Sequence, residues 1–193
     1  MLTSKVSHCE TIEEFYETIR RDQEKHNKAN YCAHHDAVKK LLEECDSYKE
    51  LGVHQGASAA AAVLCNPKKV ELVDIRLGPF NGQKDLFEKY CSENNIELIV
   101  KGMSSLDSDS VSDTQVLLID SCHTPDHLTK ELELHHESVS DYMVFHDTSM
   151  LKRLPNDALY NVIEKFCNDS NGEWEIFERY TENVGYTVIK RVK

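Results

Sequence analysis

The sequence predicts an α/β protein: a three-layer sandwich on a mostly parallel, seven-stranded sheet that ends in an antiparallel hairpin. Three observations carry this. Five short runs rich in Val, Ile and Leu recur between Lys49 and His146, which suits strands buried on both faces of a parallel sheet. Segments of helical periodicity separate them. The last two strand-like runs, Trp174–Tyr180 and Tyr186–Val192, are joined only by the short turn Thr181–Gly185, a hairpin connection. Alternating strands and helices with right-handed crossovers put helices on both faces of such a sheet.

The elements follow in order. Thr11-Ile12-Glu13-Glu14 has the T-x-x-E form of a capping box, and Ile12, Phe15, Tyr16 and Ile19 continue at helical spacing. A second amphipathic helix is expected over His34–Cys45, with Ala37, Val38, Leu41, Leu42 and Cys45 on one face. Strands are expected at Lys49–Val53, Val70–Ile75, Ile96–Val100, Val116–Asp120 and Tyr142–His146. Helices are expected at Ala57–Cys65, Asp85–Glu93, Pro125–His136 and Asn156–Asn168. Thr124 suits the N-cap of the third of these and Pro125 its first turn. Residues 1–46 then form N-terminal helices and 47–193 a core, together one domain of ordinary size. The helices would either cover the crevice or join two copies in a homo-oligomer. Ser104 to Thr114 is a Ser/Asp-rich loop without a basic partner and reads as mobile.

Composition excludes several function classes. The chain carries 22 Lys+Arg against 34 Asp+Glu, a net charge of −12, the wrong balance for gripping nucleic acid. No apolar run reaches the roughly 18 residues of a membrane span. Met1 to Glu10 lacks the apolar core of a secretory signal. Seven scattered cysteines, odd in number and without a C-x-x-C pair, fit reduced thiols in a cytoplasmic protein.

The most informative motif is Glu50-Leu51-Gly52-Val53-His54-Gln55-Gly56-Ala57-Ser58: a strand ending, a glycine turn and a helix start. Such a turn lets bare backbone and helix N–H groups approach a ligand. Asp74 ends the second apolar run, near the roughly 20-residue distance at which a nucleotide-binding unit places its ribose-holding acid. The turn lacks G-x-G-x-x-G and G-x-x-x-x-G-K-[ST], which disfavours a dinucleotide or a nucleoside triphosphate. What remains is E-x-G-x-x-x-G after the first strand with an acid ending the second, which resembles the pattern of S-adenosylmethionine sites.

Two further clusters end strands. Asp120-Ser121-Cys122-His123 closes the fourth and His146-Asp147-Thr148 the fifth, so both should face one crevice with Gly52 and Gly56. Two carboxylates and one or two imidazoles there suit a divalent cation, and a neutral histidine suits proton abstraction from a hydroxyl. Asp107, Asp109 and Asp113 do not make a calcium loop, because Ser112 stands where glycine is needed and Leu118 where glutamate is needed. Cys32, His34 and His35 lack a second pair for zinc closure and read as a solvated helix start. His135-His136, on a helix with Glu131 and Glu133, reads as surface.

From about Tyr48 to the C-terminus, the stretches Glu50–Ser58, Val116–His123, Tyr142–Thr148 and Asn183–Lys190 resemble class I S-adenosylmethionine-dependent methyltransferases. The likeness is to the branch of macrolide-sugar O-methyltransferases and cephalosporin-hydroxylase-like proteins. The resemblance implies a Rossmann-like core, with Glu50, Gly52 and Gly56 lining the methionine end of the cofactor and His54 and Ser58 also among the cofactor-binding residues. It implies Asp74 on the ribose and Ser104 and Ser105 near the adenine. Asp120 and Asp147 match the branch's magnesium-binding acids, and His123 its general base. His146 replaces the first acid of a pair, and imidazole shifts preference from magnesium toward manganese, iron or zinc.

The expected activity is therefore a metal-assisted O-methyl transfer to a small hydroxylated acceptor such as a sugar, with Asp120 and His123 at the reacting atoms. Two alternatives stand beside it. One is a hydroxylase with iron on His123, His146 and one aspartate; the other is a non-catalytic binding module that kept the fold.

Overall fold

The computed structural model describes residues 9–25, 32–149 and 155–192, so most of Met1–Glu10 lies outside the described residues. The element order is α1 (Ile12–Lys25), α2 (Ala33–Leu41), β1 (Ser47–Leu51), α3 (Ala57–Val63), β2 (Lys69–Val73), α4 (Gly78–Asn81), α5 (Lys84–Glu93), β3 (Glu97–Lys101), β4 (Thr114–Ile119), α6 (Pro125–His135), β5 (Val139–His146), α7 (Ala158–Asp169), β6 (Trp174–Tyr180) and β7 (Tyr186–Arg191). The strands form one seven-stranded sheet in the order β3-β2-β1-β4-β5-β7-β6. Strands β1 to β5 pair in parallel, and β7 runs antiparallel to both neighbours. This is the predicted Rossmann-like sheet with its terminal hairpin. The order reverses between β1 and β4, and ligands of open α/β sheets gather outside the strand ends at such a point.

Apolar side chains fill both faces of the sheet. On one face α1, α2, α3 and α5 contribute Phe15, Ile19, Val38, Leu41 and Phe87, packed on Tyr48, Val70 and Val116. On the other, α6 and α7 contribute Leu128, Leu132, Leu159 and Ile163, packed on Leu117, Met143 and Phe145. Ala59 to Ala62 are fully buried, and their small side chains let α3 lie close to its neighbours. The apolar stripes of α1 and α2 are spent on this packing. Among the described residues, no helix is long and apolar enough to cross a membrane.

Several boundaries differ from expectation for local reasons. β1 stops at Leu51, because Gly52 turns to φ +94°. β2 stops at Val73, leaving Ile75 exposed rather than buried. α7 begins at Ala158, because Asp157 stands at φ +62° and cannot continue a helix. The short α4 was not foreseen.

Three readings of polar segments are overturned. The Ser-rich loop is anchored: the buried Lys49 ammonium donates to the Ser110 carbonyl and to the Ser112 hydroxyl at 3.0 Å, and faces Glu71 at 3.5 Å. Burial draws Lys49 down to about 8, with the Glu71 carboxylate opposing that shift. Cys32, His34 and His35 are buried rather than solvated. His135 is fully buried rather than on the surface, as is Glu131 on the same helix face, and His135 Nε2 meets the Ser105 carbonyl at 2.8 Å.

Candidate active site

The glycine turn after β1 brings the ends of three strands together. Gly52 donates its N–H to the Val73 carbonyl at 2.9 Å, and Asp120 donates its own to the Leu51 carbonyl at 2.8 Å. A side chain on Gly52 would collide with the Asp120 carbonyl and stand 2.6 Å from Ser121 Cα, so this crossing needs glycine. Gly56, at φ +84°, heads α3, and a Cβ there would meet the rings of Phe80 and Phe87 at 3.1 Å. Its role in this structure is close packing.

A crevice of about 770 Å³ opens over these strand ends. Gly52, His54, Asp74, Ser104, Ser105, Asp120 and His123 line it together, as do Ile75, Arg76, Cys122 and His127. The Asp74 carboxylate accepts backbone N–H bonds from His54 at 2.9 Å and Arg76 at 2.7 Å, which fixes it on the crevice wall. The other turn residues sit elsewhere. Glu50 is fully buried beneath the turn, accepting hydrogen bonds from Tyr48 and Ser58, and neither Glu50, Gly56 nor Ser58 lines the crevice. Burial pushes the Glu50 carboxyl up to about 8 against those two hydroxyl bonds.

At the β4 and β5 ends, two carboxylates and two imidazoles converge. His123 Nε2 lies 2.9 Å from Asp120 Oδ1 and 3.0 Å from Asp147 Oδ2. His146 Nδ1 lies 3.3 Å from Asp120 Oδ1 and 3.5 Å from Asp147 Oδ1. Burial resists ionisation of Asp120, but His146 and His123 outweigh it and hold the carboxyl well below its ordinary value. The hydrogen bond to Asp120 raises His123, and burial raises Asp147. Asp147 stands at φ +60°, a conformation that costs a non-glycine residue energy and needs support. The β6–β7 turn supplies it: Ser149 N–H bonds the Val184 carbonyl at 2.8 Å, and Thr187 bonds the Thr148 hydroxyl at 3.0 Å.

The donors of Asp120, His146 and Asp147 lie within 4.8 Å of one another, and the buried Oδ1 of Asp147 accepts no hydrogen bond among the described residues. Such a set fits a divalent cation. One nitrogen among two carboxylates suits manganese, iron or zinc better than magnesium, which prefers oxygen throughout. The site has a roof that sequence reasoning missed. His34 of α2 places its ring 4.1 Å from that of His146, and His35 stands 4.3 Å from His34. The signal was present, because His34 precedes Ala37, Val38 and Leu41 at helical spacing. Glu131 was missed in the same way: Leu128, Glu131, Leu132 and His135 share one face of α6.

No protein-family model matches the chain, and no curated protein matches it in sequence. Solved structures match it in fold. A proposed caffeoyl-CoA O-methyltransferase from Staphylococcus aureus is similar at TM-score 0.67 and 12% identity, over 92% of each chain. An SAH-bound methyltransferase, PaMTH1, of Podospora anserina is similar at TM-score 0.62 and 11% identity, over 96% of this chain and 89% of that one. The pyocyanin biosynthetic protein PhzM is similar at TM-score 0.56 and 14% identity. That match covers 97% of this chain but 60% of PhzM, so this chain spans less than two thirds of that protein. At such identities the likeness is one of fold alone: a Rossmann-like sheet of the kind these methyltransferases share.

Proposed function

We propose that this protein is an S-adenosylmethionine-dependent O-methyltransferase, assisted by a divalent metal, that acts on a small hydroxylated acceptor. One observation carries the reading. A single crevice runs from a backbone-held acid, Asp74, past Gly52 to a histidine set between two carboxylates, Asp120 and Asp147. The fold shared with O-methyltransferases supports the donor, and the sequence resemblance to the macrolide-sugar branch suggests a sugar as acceptor.

In this reading Asp74 holds the ribose hydroxyls, and the bare backbone at Gly52 lets the donor lie against the sheet edge. Because carboxylates only accept, the His123 Nε2 facing them carries the ring proton, and the acceptor hydroxyl loses its own proton to Nδ1 as its oxygen attacks the methyl carbon. The carbon–sulfur bond breaks in line, its electron pair stays on sulfur, and the acceptor leaves as a methyl ether. Holding the two reactants in line supplies much of the rate of such a transfer. A metal on Asp120, His146 and Asp147 would supply positive charge that lowers the hydroxyl pKa. The three residues hold that position; His123, its Nε2 hydrogen-bonded to Asp120 and 3.0 Å from Asp147, stands ready for the proton at Nδ1.

The test is calorimetric titration with S-adenosylmethionine in manganese, magnesium or chelator, followed by transfer of a labelled methyl group to a panel of sugars and catechols. Donor binding with metal-dependent transfer is the expected result. Binding without transfer to any acceptor would favour a module that kept the fold and lost turnover. Oxygen consumption with ferrous iron would favour the hydroxylase.

A further inference from the structure

A second constellation in the crevice lies away from the metal-binding acids and takes no part in the reaction above. His127, in the first turn of α6, lines the crevice with about a quarter of its side chain exposed. Its Nε2 lies 3.2 Å from Glu131 Oε1 and 3.1 Å from the Ser105 hydroxyl. Glu131 is fully buried behind it and also accepts a hydrogen bond from Ser121. The Ser105 hydroxyl bonds the same carboxyl. Two hydroxyls and one imidazole therefore surround a carboxylate, which can only accept. An Nε2–H of His127 therefore faces that carboxylate, while Nδ1 has no protein partner among the described residues.

The crevice has a direction. The reacting atoms belong at Asp120 and His123, just after β4, and the ribose at Asp74, just after β2, so the far end lies beyond the end of β3, where Ser104 and Ser105 stand. His127 reaches across from α6 to that end. The inference rests on the methyl-donor reading and deepens it. We infer that His127 reads the edge of the donor's base, its Nδ1 accepting a hydrogen bond from a 6-amino group, with Glu131 fixing the tautomer. A 6-oxo purine presents a lone pair to the same nitrogen and is refused. Unmatched polar groups in a buried site carry large discrimination, whereas added bulk alone carries little.

The experiment compares S-adenosylhomocysteine with its deaminated 6-oxo analogue, S-inosylhomocysteine, by calorimetry on the full chain. Wild type should bind the amino form at least about tenfold more tightly, the effect of one net hydrogen bond. His127→Ala should bring the two within about threefold, chiefly by weakening the amino form, and His127→Gln, which retains an acceptor, should restore part of the preference. Two wild-type measurements keep the test open if a variant fails to fold. One is the preference itself. The other is the imidazole ¹⁵N spectrum, which should show Nδ1 unprotonated and shifted on binding the amino form. Equal binding of both nucleosides by wild type, or a protonated Nδ1 in the complex, would overturn the inference and leave the methyl-donor reading standing. Failure of wild type to bind either one would remove the methyl-donor reading, and this inference with it.

Discussion

Gly52 packs directly against the backbone of Asp120 where the parallel strands β1 and β4 end side by side. A Cβ on Gly52 would run into the Asp120 carbonyl, and Gly52 already stands at φ +94°. The glycine of the turn and the acid of the reaction site are thereby locked to each other, and the crevice inherits its floor from that contact.

Gly52→Ala should therefore cost about 2–4 kcal/mol, because both the backbone angle and the contact with a neighbouring strand are violated. Gly56→Ala meets only the side-chain rings of Phe80 and Phe87 and should cost less, about 1–2 kcal/mol. Urea unfolding checks the order. The same variants should lose donor affinity in the same order, since only Gly52 lines the crevice. Equal losses would mean that the Gly52 contact is not what shapes the floor.

His123→Ala should lower kcat by about 10²–10⁴-fold, the usual reach of a positioned general base. Donor affinity, measured by calorimetry, should change less than about threefold. A large loss of donor binding would reassign His123 from proton transfer to cofactor contact.

The cation preference should follow the one nitrogen in the donor set. Wild type is expected to bind manganese or cobalt ahead of magnesium, and His146→Asp should move the preference toward magnesium by making all donors oxygen. Competition titrations monitored by the cobalt absorption spectrum read this directly, without any acceptor. An unchanged preference in His146→Asp would exclude His146 as a ligand.

Glu50 makes stability depend on pH. Its carboxyl sits at about 8 in the folded protein, above its ordinary value of 4.5, because burial disfavours the charge. Between those two values the folded state holds a proton that the unfolded chain has released. Stability contributed by this group is therefore complete at low pH and is lost as pH rises toward about 8. The slope is at most about 1.4 kcal/mol per pH unit. Glu50→Gln should flatten the curve between about pH 5 and 8, as read from urea midpoints. A wild-type curve that rises over that range would contradict the buried, hydroxyl-bonded carboxyl.

Much of the fold was legible because each strand is an uninterrupted apolar run, and such runs survive as buried parallel strands. The site was legible in part for the same reason. Asp74, Asp120 and His146 each fall where an apolar run stops, and strand ends are where a parallel sheet presents its ligands. The buried polar face of α6 was harder to read. Glu131 and His135 interrupt an otherwise apolar stripe, and a charged residue in that pattern ordinarily marks solvent. Its partners include Ser105 and Ser121, from the loops after β3 and β4, besides His127 one turn earlier on the same helix.

The sequence by itself determined the sheet, its terminal hairpin, the glycine turn and the set of acids and histidines at strand ends. These are local properties: periodicity, backbone freedom and the point where an apolar run stops. Only the tertiary structure decided that Glu50 and Ser58 turn inward, that His34 of α2 closes over His146, and that Lys49 anchors the Ser-rich loop. It also decided that Ser121, from the loop after β4, bonds the buried Glu131. A buried polar group is tolerated only where partners from distant segments meet it, and no local pattern in the chain records that meeting.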